Sequence, residues 1–399
     1  MDIFDKYSAI AQRRQTVLGA GINPFGVEME KLISPTEALI GGRHTILLGT
    51  NNYLGLTFDQ GAIDAATRAL HDFGTGTTGS RIANGTYGLH RDLEKAFERH
   101  LHRRSAIVFS TGYQANLGTI AGLAGAKDLI LLDADSHASI YDGCRLSGAT
   151  VVRFRHNDPA DLDRRLARMK GEFDCCLVIV EGLYSMLGDT APLPEFVEVK
   201  QKHGAWLLVD EAHSFGCYGE HGRGLAEAQG VEAEVDFVVG TFSKSLGAIG
   251  GFAASDHPGF DLLRVCSRPY MFTASPSPAG VASVLATLST IEATPDLTRR
   301  VQANGRLLHE GLGSLGLELG APPGPIVAVR MPDENTAVAA WHMLLQRGIY
   351  VNLALPPGTP NSASLLRCSV SAAHEPAQIA EAVDKFRAVL ADLQPAAAA

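Results

Sequence analysis

The chain has 399 residues, of which 46% are hydrophobic and 19% charged, and this balance excludes a mostly disordered or fibrous protein. Its net charge of -9 argues against nucleic-acid binding, because neutralising phosphates requires a surplus of lysine and arginine. The first residues carry charges throughout, and no run approaches the ~20 apolar residues of a membrane span. We therefore expect a cytoplasmic protein without a transmembrane segment, and peripheral attachment to the inner membrane face stays open.

The sequence predicts an α/β fold in three parts. We expect residues 1–45 to form an N-terminal arm, because they combine a polar helical segment with turn residues. We expect residues 46–290 to form a large domain. Short apolar runs alternate there with amphipathic stretches, and this pattern is typical of a mostly parallel sheet covered by helices. Residues 291–399 predict a smaller C-terminal α+β domain with strand candidates IVAVRM and LLRCSV. The seven strand candidates of the large domain are SAIVFS, LILLDA, TVVRFR, CLVIVE, AWLLVDEA, FVVGTF and GGFAAS.

Polar side chains come immediately at the carboxyl ends of several of these strand candidates. An open α/β sheet binds its ligand at those ends. Asp210 and His213 follow one strand, and Lys244 follows the next. A buried lysine amine can form a Schiff base, and a carboxylate can keep a pyridine nitrogen protonated. The set predicts pyridoxal 5'-phosphate (PLP), with Lys244 as its Schiff-base lysine, Asp210 at the ring nitrogen and His213 at the phenolic oxygen. Ser185 is a second candidate for that oxygen, and His137 for stacking on the ring.

Binding of the cofactor's phosphate requires hydroxyl and backbone donors. Thr241 and Ser243 supply hydroxyls beside the lysine. The step from SAIVFS into TGYQANLG predicts a helix N-terminus, which is a site for anions, and Gly112 and Tyr113 are the candidates there. The six cysteines show no spacing typical of zinc ligands, so we expect reduced thiols and no metal site.

The segments DADSHASIYDG, EGLYSMLGD, LVDEAHS and GTFSKSLGAIGG resemble the α-oxoamine synthases, which are PLP-dependent transferases of fold type I. Within that family, FGTGTTGSRIANGTYGLHRDLE, TILLGTNNYLGL, RPYMFTASPSP and SLLRCSVSAAHEPAQI are most similar to the branch that uses L-serine. The similarity extends from about Asn23 to Phe386. It implies an acyltransferase that performs a decarboxylating Claisen condensation of L-serine with a long-chain acyl thioester. The products that the resemblance implies are 3-ketosphinganine, CO2 and free thiol, at the first step of sphingolipid synthesis. The expected acyl carrier is coenzyme A (palmitoyl-CoA) or acyl carrier protein.

The resemblance also implies a homodimer whose active sites are shared between subunits. It gives Lys244 a second role as the acid and base at the substrate's α-carbon, and it gives His137 a contact with the serine carboxylate. Thr273 and Ser275 are expected to reach the phosphate from the other subunit. The residues expected near the substrate are Asn52, Tyr53 and Arg367.

One departure from the family's pattern lies in NLALPPGTP, where Leu355 occupies the position of an arginine that holds the substrate carboxylate in several members. Arg367 or His137 then does more of that work, or Leu355 lines a channel for the acyl chain. Three alternatives stay open: an α-oxoamine synthase that uses glycine or alanine, a fold-type-I aminotransferase or lyase, and a non-catalytic partner subunit. The intact Lys244, Asp210 and His213 argue against the last of these.

Overall fold

A computed structural model describes residues 2–19 and 23–393, and the chain divides into two compact units. The first unit comprises Met1–Thr50, Gly305–Val370 and His374–Ala399, and the second comprises Asn51–Asn304 with Ser371–Ala373. The predicted three-part division, with boundaries at 45 and 290, divides the chain differently and stays a prediction.

The strands and helices alternate along most of the second unit, as the sequence predicts. The strands are β1 Lys31–Ser34, β2 Glu37–Ile40, β3 Arg43–Leu47, β4 Ser105–Phe109, β5 Leu129–Asp133, β6 Thr150–Phe154, β7 Cys176–Glu181, β8 Trp206–Asp210, β9 Phe237–Thr241, β10 Gly251–Ser255, β11 Ile326–Met331, β12 Ile349–Tyr350, β13 Asn352–Ala354 and β14 Ser364–Ser369. The helices are α1 Ser8–Gly19, α2 Gln60–Phe73, α3 Gly88–His100, α4 Gly112–Leu123, α5 Ala138–Ser147, α6 Pro159–Arg168, α7 Leu193–His203, α8 Leu225–Ala228, α9 Leu263–Cys266, α10 Arg268–Met271, α11 Pro278–Ala293, α12 Asp296–Gly313, α13 Glu334–Gln346 and α14 Pro376–Leu393.

The second unit is built on a seven-stranded sheet in the order β4-β10-β9-β8-β7-β5-β6. β10 runs antiparallel to both of its neighbours, whereas the pairs from β9 through β8, β7 and β5 to β6 are parallel. All seven strands coincide with the predicted apolar runs, so the expectation of a mostly parallel sheet in an α/β fold is confirmed.

Most strands of the sheet are buried on both faces, which explains why they are continuous apolar runs rather than alternating ones, whereas the edge strand β6 is largely exposed. Every residue of β4, β5, β9 and β10 is buried. On one face, Ile120 of α4 and Ile140 of α5 belong to the same core cluster as strand residues such as Ile107 and Ile130. On the other face the ring of Phe97, from α3, stacks on Phe252 with 4.3 Å between centroids.

The first unit contains two smaller sheets, in the orders β1-β2-β3-β12 and β11-β14-β13. β3 pairs in parallel with β12, about 300 residues further along the chain, through Ile46↔Ile349 and Leu47↔Tyr350. The strand candidates IVAVRM and LLRCSV form β11 and β14, which pair antiparallel. Within residues 2–19 and 23–393, no helix has the length and hydropathy that crossing a membrane requires. The six cysteines are free thiols.

Candidate active site

A cavity of about 290 Å³ opens at the carboxyl ends of the parallel strands of the second unit. The residues that end β7, β8 and β9, namely Glu181, Asp210 and Thr241, line it. Because parallel strands present their carboxyl ends at one edge of the sheet, residues far apart in sequence meet here. The predicted site residues that line the cavity are Gly112, Tyr113, His137, Asp210, His213, Thr241, Ser243 and Lys244.

One wall of the cavity consists of a helix N-terminus and two hydroxyls. Helix α4 begins at Gly112, and Thr111 caps it by accepting a hydrogen bond from Gln114 N. Thr241 Oγ1 and Ser243 Oγ lie 3.0 Å apart. A Cβ at Gly112 would lie 2.6 Å from Thr241 Oγ1, so only glycine allows this close approach. Backbone amides at a helix N-terminus and adjacent hydroxyls are the donors that a phosphate requires.

Asp210 is buried at the end of β8, and donors satisfy both of its carboxylate oxygens. Ala212 N donates to Oδ1 at 2.9 Å, and Asn116 Nδ2 donates to Oδ2 at 2.7 Å. These two bonds hold the carboxylate in a fixed orientation at the end of β8. Asp210 lines the cavity, and its predicted role at the cofactor's ring nitrogen stays a prediction.

Glu181 is a cavity residue that the sequence analysis missed. It ends β7, lies opposite Asp210 in the strand register, and accepts a hydrogen bond from His137 N. Burial and the nearby Asp210 raise the pKa of Glu181 well above its usual value. The sequence pattern that indicated Asp210, a carboxylate at the end of an apolar strand, is also present at Glu181.

His137 and His213 are held by different partners. His137 caps α5, and its Nδ1 accepts from Ser139 N at 3.2 Å. The Nδ1 of His213 lies 2.7 Å from Tyr53 Oη. Tyr53 is fully buried and is not among the residues that line the cavity, so its predicted place near the substrate stays a prediction.

The other predicted site residues do not line the cavity. Asn52 Nδ2 donates to Thr57 Oγ1 at 2.8 Å, and Ser185 follows β7 in the segment before Thr190. Thr273 Oγ1 accepts from Gln114 Nε2 at 3.1 Å. Ser275 Oγ lies 2.7 Å from Thr77 Oγ1 and 2.6 Å from Gly85 O, whereas Arg367 lies buried on β14 of the first unit. Their predicted roles stay predictions.

A histidine bound between two carboxylates lies on the same edge of the sheet. His156 Nδ1 lies 2.8 Å from Asp133 Oδ1, and His156 Nε2 lies 2.6 Å from Asp189 Oδ2. Burial lowers the pKa of His156, but the hydrogen bonds to both aspartates outweigh burial and raise it to about 10. The resulting imidazolium joins the segment that leads to His137 with the loop that contains Ser185.

The residues around the cavity fit PLP. The phosphate would lie against the N-terminus of α4 and the Thr241 and Ser243 hydroxyls, where the absence of a Cβ at Gly112 leaves the wall open. Asp210 matches the ring nitrogen, and Lys244 offers an amine to the cofactor's aldehyde. The volume of about 290 Å³ is at the lower end of the range for cofactor pockets.

Comparison with known proteins agrees with this geometry. The sequence profile of the family described as "Aminotransferase class I and II" matches residues 43–386. The serine palmitoyltransferase of Caulobacter vibrioides is 55% identical over 95% of this chain and 94% of its own length, and that of Sphingomonas paucimobilis is 50% identical over 97% and 93%.

Solved structures give the same result. A structure of serine palmitoyltransferase from Sphingomonas wittichii is 51% identical, covers 98% of each chain and has a TM-score of 0.95. A structure of serine palmitoyltransferase with PLP is 50% identical, with the same coverage and TM-score. The 8-amino-7-oxononanoate synthase of Francisella tularensis is 25% identical over 88% of this chain and 99% of its own, with a TM-score of 0.74. The chain therefore belongs to the class I and II aminotransferase family and, within it, to the α-oxoamine synthases.

Proposed function

We propose that this chain is a PLP-dependent C-acyltransferase that condenses L-serine with a long-chain acyl thioester to give 3-ketosphinganine. The observation that carries the proposal is the meeting of Lys244, Asp210, His213 and His137 in one cavity beside a phosphate cradle. The choice of serine rests on the relatives: the serine palmitoyltransferases of Caulobacter vibrioides and Sphingomonas paucimobilis share 55% and 50% identity with the chain, whereas a putative 8-amino-7-oxononanoate synthase of Desulforudis audaxviator shares 39% over 92% of this chain and 94% of its own.

Bound PLP supplies an electron sink for negative charge at the substrate's α-carbon. Lys244 Nζ would hold the cofactor covalently until the amino acid takes its place, and the released amine would then remove the α-proton. Asp210 would keep the ring nitrogen protonated, and His213 would donate to the phenolic oxygen. Ser185 is the second candidate for that oxygen.

After Lys244 has taken the α-proton, the reaction makes one carbon–carbon bond and breaks two bonds between heavy atoms. The serine α-carbon attacks the acyl carbonyl carbon, and the carbon–sulfur bond breaks to release a thiolate, which takes a proton from solvent. The bond to the serine carboxylate then breaks to release CO2, and one proton returns to the α-carbon from Lys244. His137 would orient the carboxylate while the new bond forms, and Asn52, Tyr53 and Arg367 are the further candidates for contact with the substrate.

The assembly and location follow the same reasoning. We propose a homodimer in which Thr273 and Ser275 of each subunit contribute to the phosphate site of the other. We also propose a cytoplasmic enzyme, with membrane contact confined to the periphery. The acyl chain arrives on coenzyme A or on acyl carrier protein, and the two carriers are separate arms of the test.

The experiment is a product assay by mass spectrometry with the PLP-loaded protein, L-serine and a series of acyl thioesters on both carriers. We expect 3-ketosphinganine or its chain-length homologues, together with CO2 and free thiol. Lys244→Ala should lower the rate by about 10²–10⁴-fold, because both the covalent anchor and the proton-transfer group are lost. Lys202→Ala is the matched control, since this exposed lysine pairs with Asp163 on the surface.

Two results would contradict the proposal. Product formation from glycine or alanine but not from L-serine would assign the chain to another α-oxoamine synthase activity. Conversion of serine without any thioester would indicate an aminotransferase or lyase.

The place of Leu355 is tested by Leu355→Arg. An unchanged KM for serine together with an unchanged acyl-chain preference excludes a role of Leu355 at either substrate.

A further inference from the structure

A chain of hydrogen bonds joins Asp210 to His137 through two residues that do not belong to the predicted site. Asn116 Nδ2 lies 2.7 Å from Asp210 Oδ2 and 2.9 Å from Ser139 Oγ. Ser139 Oγ in turn lies 2.7 Å from His137 Nδ1. Asn116, Ser139 and Asp210 are buried at the cavity wall, with exposed fractions of 3%, 1% and 3%, so bulk water has little access to these hydrogen bonds.

The chemistry of the four groups fixes the direction of each bond. The Asp210 carboxylate accepts, so the Asn116 atom beside it must be the NH2 group, whose second hydrogen then points to Ser139 Oγ. Since Ser139 Oγ accepts that hydrogen, its own hydrogen is available for His137 Nδ1. The backbone N–H of Ser139 also donates to Nδ1, at 3.2 Å. His137 Nδ1 is therefore an acceptor twice over, and the ring proton must lie on Nε2.

The position of the Asn116 amide supports this reading. Its Oδ1 is buried and has no hydrogen-bond partner within residues 2–19 and 23–393. A buried amide oxygen without a partner is unfavourable, so the bonds that its NH2 group makes must stabilise the arrangement. Helix α4 thus holds Asn116 for the two hydrogens that it donates.

The other groups near His137 favour the neutral ring. Partial burial lowers the pKa of His137, the nearby Asp210 opposes this effect, and Lys244 lowers the pKa further. Glu181 accepts from the backbone N of His137, and the Tyr113 ring approaches the imidazole edge-on with 6.4 Å between centroids. A neutral imidazole with Nδ1 occupied presents one donor, Nε2–H, to a ligand in the cavity that His137 lines.

We infer that Asn116 and Ser139 are positioning residues that fix His137 as the neutral tautomer protonated at Nε2, so that it donates a hydrogen bond to the carboxylate of the amino-acid substrate. The identity of that substrate rests on the proposed function, whereas the tautomer does not. The state of the cofactor's partner Asp210 is thereby linked to the orientation of His137. Asn116 and Ser139 are expected to act through these two residues rather than on the substrate itself.

The test is NMR of the PLP-loaded protein labelled with ¹⁵N in histidine, with the His137 signals assigned by their absence in His137→Gln. We expect a protonated Nε2 and an unprotonated Nδ1 in the wild-type protein. Ser139→Ala and Asn116→Ala should each shift His137 toward a mixture of tautomers. Ser139→Thr, which keeps the hydroxyl, should restore the wild-type signals. Ser147→Ala is the control, because Ser147 ends the same helix and its Oγ donates to Cys144 O.

Kinetics give a second measurement. We expect the KM for L-serine to rise by roughly tenfold in Ser139→Ala and in Asn116→Ala, because the carboxylate loses an oriented donor, with a smaller change in kcat. Two results overturn the inference: a wild-type His137 protonated at Nδ1, or the wild-type tautomer persisting in both alanine variants. If the tautomer behaves as expected but no product forms from serine, the proposed function fails and the assignment of Asn116 and Ser139 stands.

Discussion

The replacement Gly112→Ala tests the phosphate cradle most directly. An added Cβ would lie 2.6 Å from both Cβ and Oγ1 of Thr241 and 3.3 Å from its Cα. Ordinary carbon contacts are about 3.5–4.0 Å, so the N-terminus of α4 and the end of β9 would have to separate by about 1 Å. Thr241 ends a strand that is paired on both sides, so the displacement cannot be confined to one flexible side chain.

The expected cost follows from these distances. Overpacking of this kind destabilises by about 1–3 kcal/mol, which lowers the Tm by no more than a few degrees in a chain of this size. Loss of one hydrogen bond to a charged phosphate is worth about 1.5–3 kcal/mol, so the Kd for PLP should rise by roughly 10- to 100-fold. The Kd is measured by titrating the apoprotein with PLP and following the absorbance of the bound cofactor.

Gly88→Ala is the matched control. Gly88 is also the first residue of a helix, α3, but a Cβ there would have no atom within 4 Å. We expect this variant to bind PLP as the wild-type protein does. If Gly112→Ala binds PLP with the wild-type Kd and the same Tm, the cradle does not depend on the close approach of α4 to Thr241, and the reasoning is refuted.

Two further predictions concern His156 and Tyr53, which do not line the cavity. His156→Gln should lower the free energy of unfolding by about 3 kcal/mol near neutral pH, because Asp133 and Asp189 lose the cation between them. The pKa of His156 in the folded protein is about 10 and exceeds the ordinary 6.5, so this stabilisation is complete below pH 6.5 and is lost as the pH rises toward 10. Equal stability of the wild-type protein and His156→Gln in denaturant titrations at pH 6 would contradict this prediction. Tyr53→Phe should reduce kcat/KM by about tenfold, because the imidazole of His213 loses its 2.7 Å hydrogen bond to the phenol; an unchanged rate would exclude a role for that bond in orienting His213.

The sequence predicted the sheet and the residues at its edge because both depend on local patterns. Most of the runs from SAIVFS to GGFAAS are predominantly apolar, since both faces of the sheet are covered there, whereas TVVRFR forms the largely exposed edge strand β6. Asp210 was found because it ends one such strand, and Lys244 because it lies three residues beyond the end of the next. Glu181 has the same signal and could have been identified in the same way.

Other features depend on contacts between distant residues, which a single sequence does not reveal. Asn116 lies in the apolar helix α4, and its partner Asp210 is 94 positions away. Nothing in TGYQANLG distinguishes a buried donor from an ordinary helical asparagine. The parallel pairing of β3 with β12 likewise joins residues about 300 positions apart, so the interpretation of residues 1–45 as an arm could not include it.

The one antiparallel strand of the large sheet, β10, determines how the loop that carries Lys244 is assembled. β9 and β10 pair residue by residue from Thr241↔Gly251 to Phe237↔Ser255, and Phe242 N donates to Gly250 O at 2.9 Å, so Lys244 lies in the tip of a β-hairpin. A hairpin closes with a short loop, whereas each parallel pair must wait for a crossover through a helix. We expect this hairpin to form early in folding, before the distant strands bring Asp210 and Gly112 to it. The reactive lysine would then be presented by a locally encoded element, and its partners would assemble around it.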